Sequence, residues 1–262
     1  MKLHTHLLAP LAILGMVGTV PTAHADAFLP FTINEGGVPG TPTNTFVAGK
    51  LSGSYAEELS IAADNSIKFD GIADWGSFAD TNGAGISGVF INGPESFGGY
   101  RLYAIFSGEG QFNSSTQTFT ITHQSFEIWA DSNSDTAKSF AGSGGDGINI
   151  SGDSDDILIG TASNLTVGWG IAGTPGAFDA IWDDFSLTAN GKLYFTSPDP
   201  FYVVVETNGD FDQNTFTSGN FTVTGDLSAA FKVPEPSTLA LLGIACLGLG
   251  MSRRKAQKGT CA

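Results

Sequence analysis

Cysteine and basic residues are the two scarcities of this 262-residue chain. Its two cysteines, Cys246 and Cys261, both lie beyond residue 240, so no disulfide staples the body of the chain and its stability must come from a core. Lysine and arginine number 11 against 26 aspartates and glutamates, a formal net charge of −15. That balance excludes a nucleic-acid partner, because phosphate binding needs clustered Lys and Arg. Histidine is as sparse. His4, His6 and His24 sit in the first 24 residues, and His123, alone in the rest, reads as a surface residue at a strand end. There is no Gly-x-Ser-x-Gly elbow, no His-Glu-x-x-His, no Cys-His pairing and no phosphate loop, which removes the chemistries those motifs carry. A sustained 3.6-residue apolar stripe is missing too, so helix is expected to be minor.

What is present begins at the two ends. Lys2, an apolar run from Leu7 to Val20 and the small-residue site Ala23-His24-Ala25 form a secretory signal peptide over residues 1–25, cut after Ala25. At the other end stand Pro234, Glu235 and Pro236, then an apolar run from Leu239 to Met251, then Arg253, Arg254 and Lys255. Thirteen apolar residues make a helix of roughly 20 Å, short of the roughly 30 Å hydrocarbon core, which suits a transient anchor with its basic end in the cytoplasm. This tail resembles the PEP-CTERM signal of Gram-negative bacteria. The resemblance implies a sorting segment over 233–256 with a short transmembrane helix, a residual tail over 257–262, and cleavage near Pro234–Pro236 by an exosortase-type membrane protease.

The intervening cargo, 26–232, reads as one domain of many short strands punctuated by Gly, Thr, Ser and Asn. Up to Val233 the mature region holds 25 acidic residues, the 26 of the chain less Glu235, and 6 basic ones, the 11 less Lys2, Arg253, Arg254, Lys255 and Lys258. Solubility by charge repulsion or binding of divalent cations fits that excess. Gln117 to Thr122 alternates, with Phe119 and Ile121 on one face. Phe185 to Phe195 reads as a hairpin turning at Asn190-Gly191. Tyr100 to Phe106 and Phe201 to Glu206 read as central strands, and Phe221 to Thr224 with Leu227 to Phe231 as the strands that close the sheet. Twenty phenylalanines, with Trp75, Trp129, Trp169 and Trp182, are available for a core. The expected class is all-β, an antiparallel β-sandwich or jelly roll.

Two aspartate-rich loops are candidate metal sites. Asp131, Asn133 and Asp135 have the alternate spacing of the first half of an EF-hand loop, although Thr136 and Gly142 stand where that loop needs glycine and glutamate. Asp153 and Asp155 could join them on one calcium ion if both loops lie at the same end of the fold. The competing reading is that all five are turn residues bonding their own backbone. Glu57-Glu58, Asp155-Asp156 and Asp183-Asp184 are paired carboxylates of the kind glycosidases use. Neighbours on a strand point to opposite faces, so one member of each pair should face solvent. Trp182 could stack on a sugar, though core is its commoner role. A secreted carbohydrate-active enzyme on a β-sandwich is therefore the alternative, and a non-enzymatic role is expected.

Pro30-Phe-Thr-Ile-Asn-Glu35, Gly99 to Phe106, the loop from Asp131 to Thr136, Gly152 to Leu158, Trp182 to Thr188 and Gly225 to Phe231 occur in that order. They resemble the flocculation-associated PEP-CTERM proteins of floc-forming bacteria over most of Phe31 to Arg254. The resemblance implies an exported surface or matrix protein that promotes aggregation with exopolysaccharide or neighbouring cell surfaces. It supplies no catalytic residues.

Overall fold

A computed structural model of the chain describes residues 28–213 and 215–233. Cleavage residues Ala23 and Ala25 lie outside these, as do Pro234, Glu235, Pro236, Arg253, Arg254 and the expected sorting helix. The regular structure of the described residues is nearly all β. Strands β1 (Phe31–Asn34) and β2 (Thr45–Ala48) precede four long ones: β3 (Lys50–Ile61), β4 (Ser66–Ala79), β5 (Arg101–Asn113) and β6 (Thr118–Asp131). A short hairpin, β7 (Ala137–Phe140) and β8 (Ile148–Ser151), leads to β9 (Ile157–Ala162), β10 (Leu165–Ile171), β11 (Gly176–Trp182) and β12 (Ser186–Leu187). The helical turn α1 (Gly191–Tyr194), β13 (Phe195–Ser197), β14 (Val204–Phe211) and β15 (Gly219–Lys232) complete it.

The all-β, antiparallel expectation holds, but the strands do not stack as two sheets. They run β10-β11-β14-β15-β3-β4-β5-β6, and β6 then pairs with β10, closing an eight-stranded barrel. Closure rests on three residues, Thr118–Thr120 of β6 against Trp169–Ile171 of β10. Further along β6, Phe126–Ala130 pairs instead with β9, so one end of the barrel is split. Trp182 and Phe185 pack against Phe126 beside this split, Trp182 at 4.7 Å between centroids, and the Trp182 indole N–H donates to the Gln124 carbonyl at 2.9 Å. The β13-β1-β2 sheet sits at the same end, where Phe31, Phe195 and Phe201 gather around Phe231 of β15. At the opposite end Phe112, Phe119, Phe211, Phe216 and Phe221 form a second aromatic plug. Phe216 is held there by Gln117, whose amide accepts from its N–H at 2.7 Å and donates to its carbonyl.

Between the plugs, rings and glycines alternate across the ladder. Phe106 lies opposite Gly71 and Phe69 opposite Gly108, while Phe211 lies opposite Gly176 and Phe178 opposite Gly209. In all four pairs a Cβ on the glycine would run into the facing ring. These glycines are strand residues that make room for aromatics across the barrel, not turn punctuation.

Two expected features change. Phe185–Phe195 is no hairpin: Asn190 is right-handed helical and Gly191–Tyr194 is one turn of α-helix. Thr188 Oγ1 accepts from the Gly191 N–H at 3.0 Å, and a Cβ on Gly191 would strike the Ile159 carbonyl. That glycine serves close packing rather than a positive φ. Of the four tryptophans, Trp75 and Trp182 are core, whereas Trp169 is exposed on the outer wall.

The β7–β8 hairpin forms a strap on the outside of the barrel. At its tip the Gly145 and Gly147 N–H groups donate to Asp70 Oδ2 at 2.7 and 2.9 Å. Along its length Lys138 pairs with Asp74 at 3.1 Å and lies over the Tyr103 ring.

Candidate functional site

The two aspartate loops meet at the end of β6 and the start of β9, but with a membership different from the expected one. One carboxylate oxygen from each of Asp131, Asp155 and Asp156 lies within 4.8 Å of the others. Asn133, Asp135 and Asp153 stay outside this group. Asn133 instead accepts from the Asp135 N–H at 3.2 Å, as a turn residue does.

Asp131 is buried and folds its own loop. Its Oδ1 accepts from the N–H groups of Asn133 and Ser134 at 3.2 and 2.6 Å, and its Oδ2 from Thr136 at 3.1 Å. Asp155 accepts from the Ser132 hydroxyl at 2.8 Å. Asp156, which spacing alone did not select, accepts from the Tyr103 hydroxyl at 2.6 Å and from the Thr136 hydroxyl at 2.9 and 3.0 Å. Burial raises the Asp156 pKa; those hydrogen bonds oppose the rise, and the Asp131 and Asp155 charges add to it. The donor set is of the hard-oxygen type calcium takes, yet calcium takes six to eight oxygens. Internal hydrogen bonds already account for the arrangement, so the cluster by itself assigns no ion.

Of the paired carboxylates, Asp155 and Asp156 converge on one cluster, and only Glu57 and Glu58 separate as strand alternation requires. Glu58 faces outward and accepts from the Thr222 hydroxyl at 2.6 Å, while Glu57 borders the barrel cavity. Asp183 and Asp184 are loop clasps. Asp183 accepts from Asn164 at 2.5 Å, and Asp184 accepts from the Ser163 N–H at 2.9 Å and from its hydroxyl. Burial acts to raise the Asp184 pKa, and the hydrogen bonds from Asn164 and Ser163 outweigh it and hold the carboxyl below its ordinary range. Trp182 is buried and presents no face to a sugar. His123 is exposed, within β6 rather than at its end, and faces Glu109 at 3.4 Å.

An outer surface escaped the sequence reading. Val167, Trp169 and Ile171, alternate residues of β10, are 39%, 43% and 42% exposed. Ile181 and Ala177 of β11 stand opposite Val167 and Ile171 and widen the stripe. Asp179 stands opposite Trp169. Burial raises its pKa, offset in part by Lys232 and by a hydrogen bond from the Trp169 side chain. The signal that could have found the stripe is the alternation Val167-Gly-Trp169-Gly-Ile171. With glycines filling the other phase it gives no contrast between polar and apolar faces.

Among the described residues no helix is long and apolar enough to cross a membrane. Comparison with curated proteins and with solved structures returns no match. Residues 232–255 match the family model of the PEP-CTERM protein-sorting motif, beginning at the last residue of β15. That motif supports an exported protein processed at its C-terminus by an exosortase, itself a membrane protein.

Proposed function

We propose that the chain is a cell-surface or extracellular-matrix protein that promotes flocculation or biofilm-type aggregation with exopolysaccharide, without enzymatic chemistry of its own. The observation that carries this reading is the sorting motif at 232–255, which supports export and exosortase processing. On this reading an exosortase is a transient partner during sorting, and exopolysaccharide or a neighbouring cell surface is the lasting one. The stripe centred on Trp169 supports it, since an exposed indole on a rigid strand stacks on a sugar ring with little loss of conformational freedom.

Deleting the gene should disperse flocs while the secreted polysaccharide keeps its chain length, and restoring it with Trp169→Ala should recover export but not full aggregation. Intact flocs in the deletion strain would remove the proposed role. If the purified protein instead shortened the polysaccharide, and Asp183→Asn or Asp184→Asn abolished that effect, the carbohydrate-active enzyme would replace it.

A further inference from the structure

Between its two aromatic plugs the barrel encloses a cavity of about 100 Å³. Tyr55, Phe69, Phe106 and Phe178 line it, with Glu57 among them. Glu57 is placed there by strand alternation: it is in phase with Tyr55, Leu59 and Ile61, whose side chains are buried. Opposite it on β4 is Gly71, whose missing side chain leaves room for the Phe106 ring.

Polar groups of this lining lack partners, Asp179 Oδ1 among them. No described residue hydrogen-bonds the Glu57 carboxyl, and no Lys, Arg or His lines the cavity. The indole N–H of Trp75, a lining residue only 2% exposed, has no acceptor. Burial pushes the Glu57 carboxyl up to about 8, and the charge of Asp70 on β4 adds to the shift. The other titratable groups around this part of the barrel are Tyr55 on β3, Asp179 on β11, and Asp210 and Asp212 at the end of β14. All are neutral or acidic, so nothing in the wall compensates a Glu57 carboxylate. Two buried carboxylates elsewhere in this fold are well supplied: Glu35 has four hydrogen bonds and Asp70 two.

We propose that the barrel lumen binds a small organic ammonium ion, its nitrogen held by the Glu57 carboxylate and its hydrocarbon part packed against the rings of Tyr55, Phe106 and Phe178. Three properties of the wall select a cation. Aromatic faces are electrostatically negative and attract ammonium groups; the Glu57 carboxyl has no hydrogen-bond partner and no base lines the wall; and a chain of net charge −15 concentrates cations around itself. Size selects a ligand of a few carbons, since an apolar cavity of roughly 150 Å³ accommodates benzene. Eight-stranded barrels are of the width that holds either side chains or one small ligand. Binding is an exchange: the protonated carboxyl releases its proton to solvent as the ammonium ion takes its place beside the carboxylate.

The test uses n-butylamine, charged at neutral pH, and its neutral isostere 1-butanol, both titrated calorimetrically into the purified protein at pH 7. The amine should bind saturably, at least about tenfold more tightly than the alcohol. Repeating the titration in buffers of different ionisation enthalpy should show close to one proton released per amine and none per alcohol. Glu57→Gln should abolish both the preference and the proton release, and thermal melting checks that this variant is folded. The proton count on the unaltered protein keeps the test decisive if the variant does not fold. No saturable amine binding, equal affinity for amine and alcohol, or binding without proton release would overturn the assignment and leave a lumen filled by water alone.

Discussion

Two glutamates in this protein are withdrawn from bulk water, and the fold treats them in opposite ways. Glu35 sits beneath the β13-β1-β2 sheet at the split end of the barrel. Its Oε1 accepts from the N–H groups of Phe90 and Ile91 at 2.8 and 3.2 Å and from the Tyr100 hydroxyl at 3.2 Å, and its Oε2 accepts from Asn44 at 2.6 Å. Tyr100 in turn shares a 2.6 Å hydrogen bond with Tyr194 of α1. One carboxylate thus ties the end of β1, the residue before β2, the segment before β5 and, through Tyr100, α1 into a single unit. Glu57, midway along the barrel, borders the cavity and has no hydrogen-bond partner among the described residues. A buried charge is tolerable when every lone pair is answered, and costly when none is. The first site is therefore read as structural and the second as functional.

The largest effect that would sharpen this contrast is expected from Glu35→Ala. It leaves two backbone N–H groups, the Asn44 amide and the Tyr100 hydroxyl without their acceptor, and should cost about 3–5 kcal/mol. At roughly 2–4 °C per kcal/mol for a domain of this size, the melting temperature should fall by on the order of 10 °C. A loss below about 1 kcal/mol would show that the cap does not depend on this carboxylate.

Next in size is Gly71→Ala, beside Glu57. The added methyl runs into the Phe106 ring, and overpacking of this kind costs about 1–3 kcal/mol. Gly85→Ala is the control, because a Cβ there meets nothing within 4 Å and should leave stability nearly unchanged. Equal melting temperatures for the two variants would mean that the ring does not lie on the glycine.

Asp70→Asn should have a smaller effect. It weakens the acceptor for the Gly145 and Gly147 N–H groups, costing about 1–2 kcal/mol. The strap tip should open locally before the barrel does, so limited proteolysis should cut near residues 141–147 in the variant sooner than in the unaltered protein. An unchanged cleavage pattern would show the tip held by other contacts, such as the 2.9 Å hydrogen bond between Asn220 and Ser143.

These sites differ in how readable they were. Period-two alternation located the start of β6, Thr118 to Thr122, and the strand pattern located the two apolar parts of the continuous strand β15. Alternation is the same in a sandwich and in a barrel, however, and closure depends on a three-residue pairing between β6 and β10 that no local pattern announces. The glycines of the barrel wall misled for a physical reason: Gly71 and Gly108 look like turn residues until the Phe facing each across the ladder is known. Asn190-Gly191 misled likewise, because a glycine needed for close approach to Ile159 looks like one needed for a positive φ. Asp131 was legible as the organiser of its loop, whereas Asp156 joined it only through the register of β9 on β6. Glu57 was legible in principle, being in phase with Tyr55, Leu59 and Ile61. The rule that one of two adjacent acids faces solvent held, and Glu57 is the inward member. Nothing local marks Glu35, whose partners lie up to 65 residues away.

The most direct test of the contrast is the stability of the protein and of Glu57→Gln as a function of pH. Burial raises the Glu57 carboxyl from its ordinary 4.5 to about 8, so between those values the folded state holds a proton that the unfolded state has released. Stability contributed by this group therefore falls as pH rises from about 4.5 and levels off above about 8. Glutamine mimics the protonated acid and carries no such dependence. The account predicts nearly equal stabilities at pH 5 and a growing advantage for Glu57→Gln up to pH 8.5, on the order of 2–4 kcal/mol at the upper end. A difference that stays constant across this range, or that favours the unaltered protein at high pH, would contradict it.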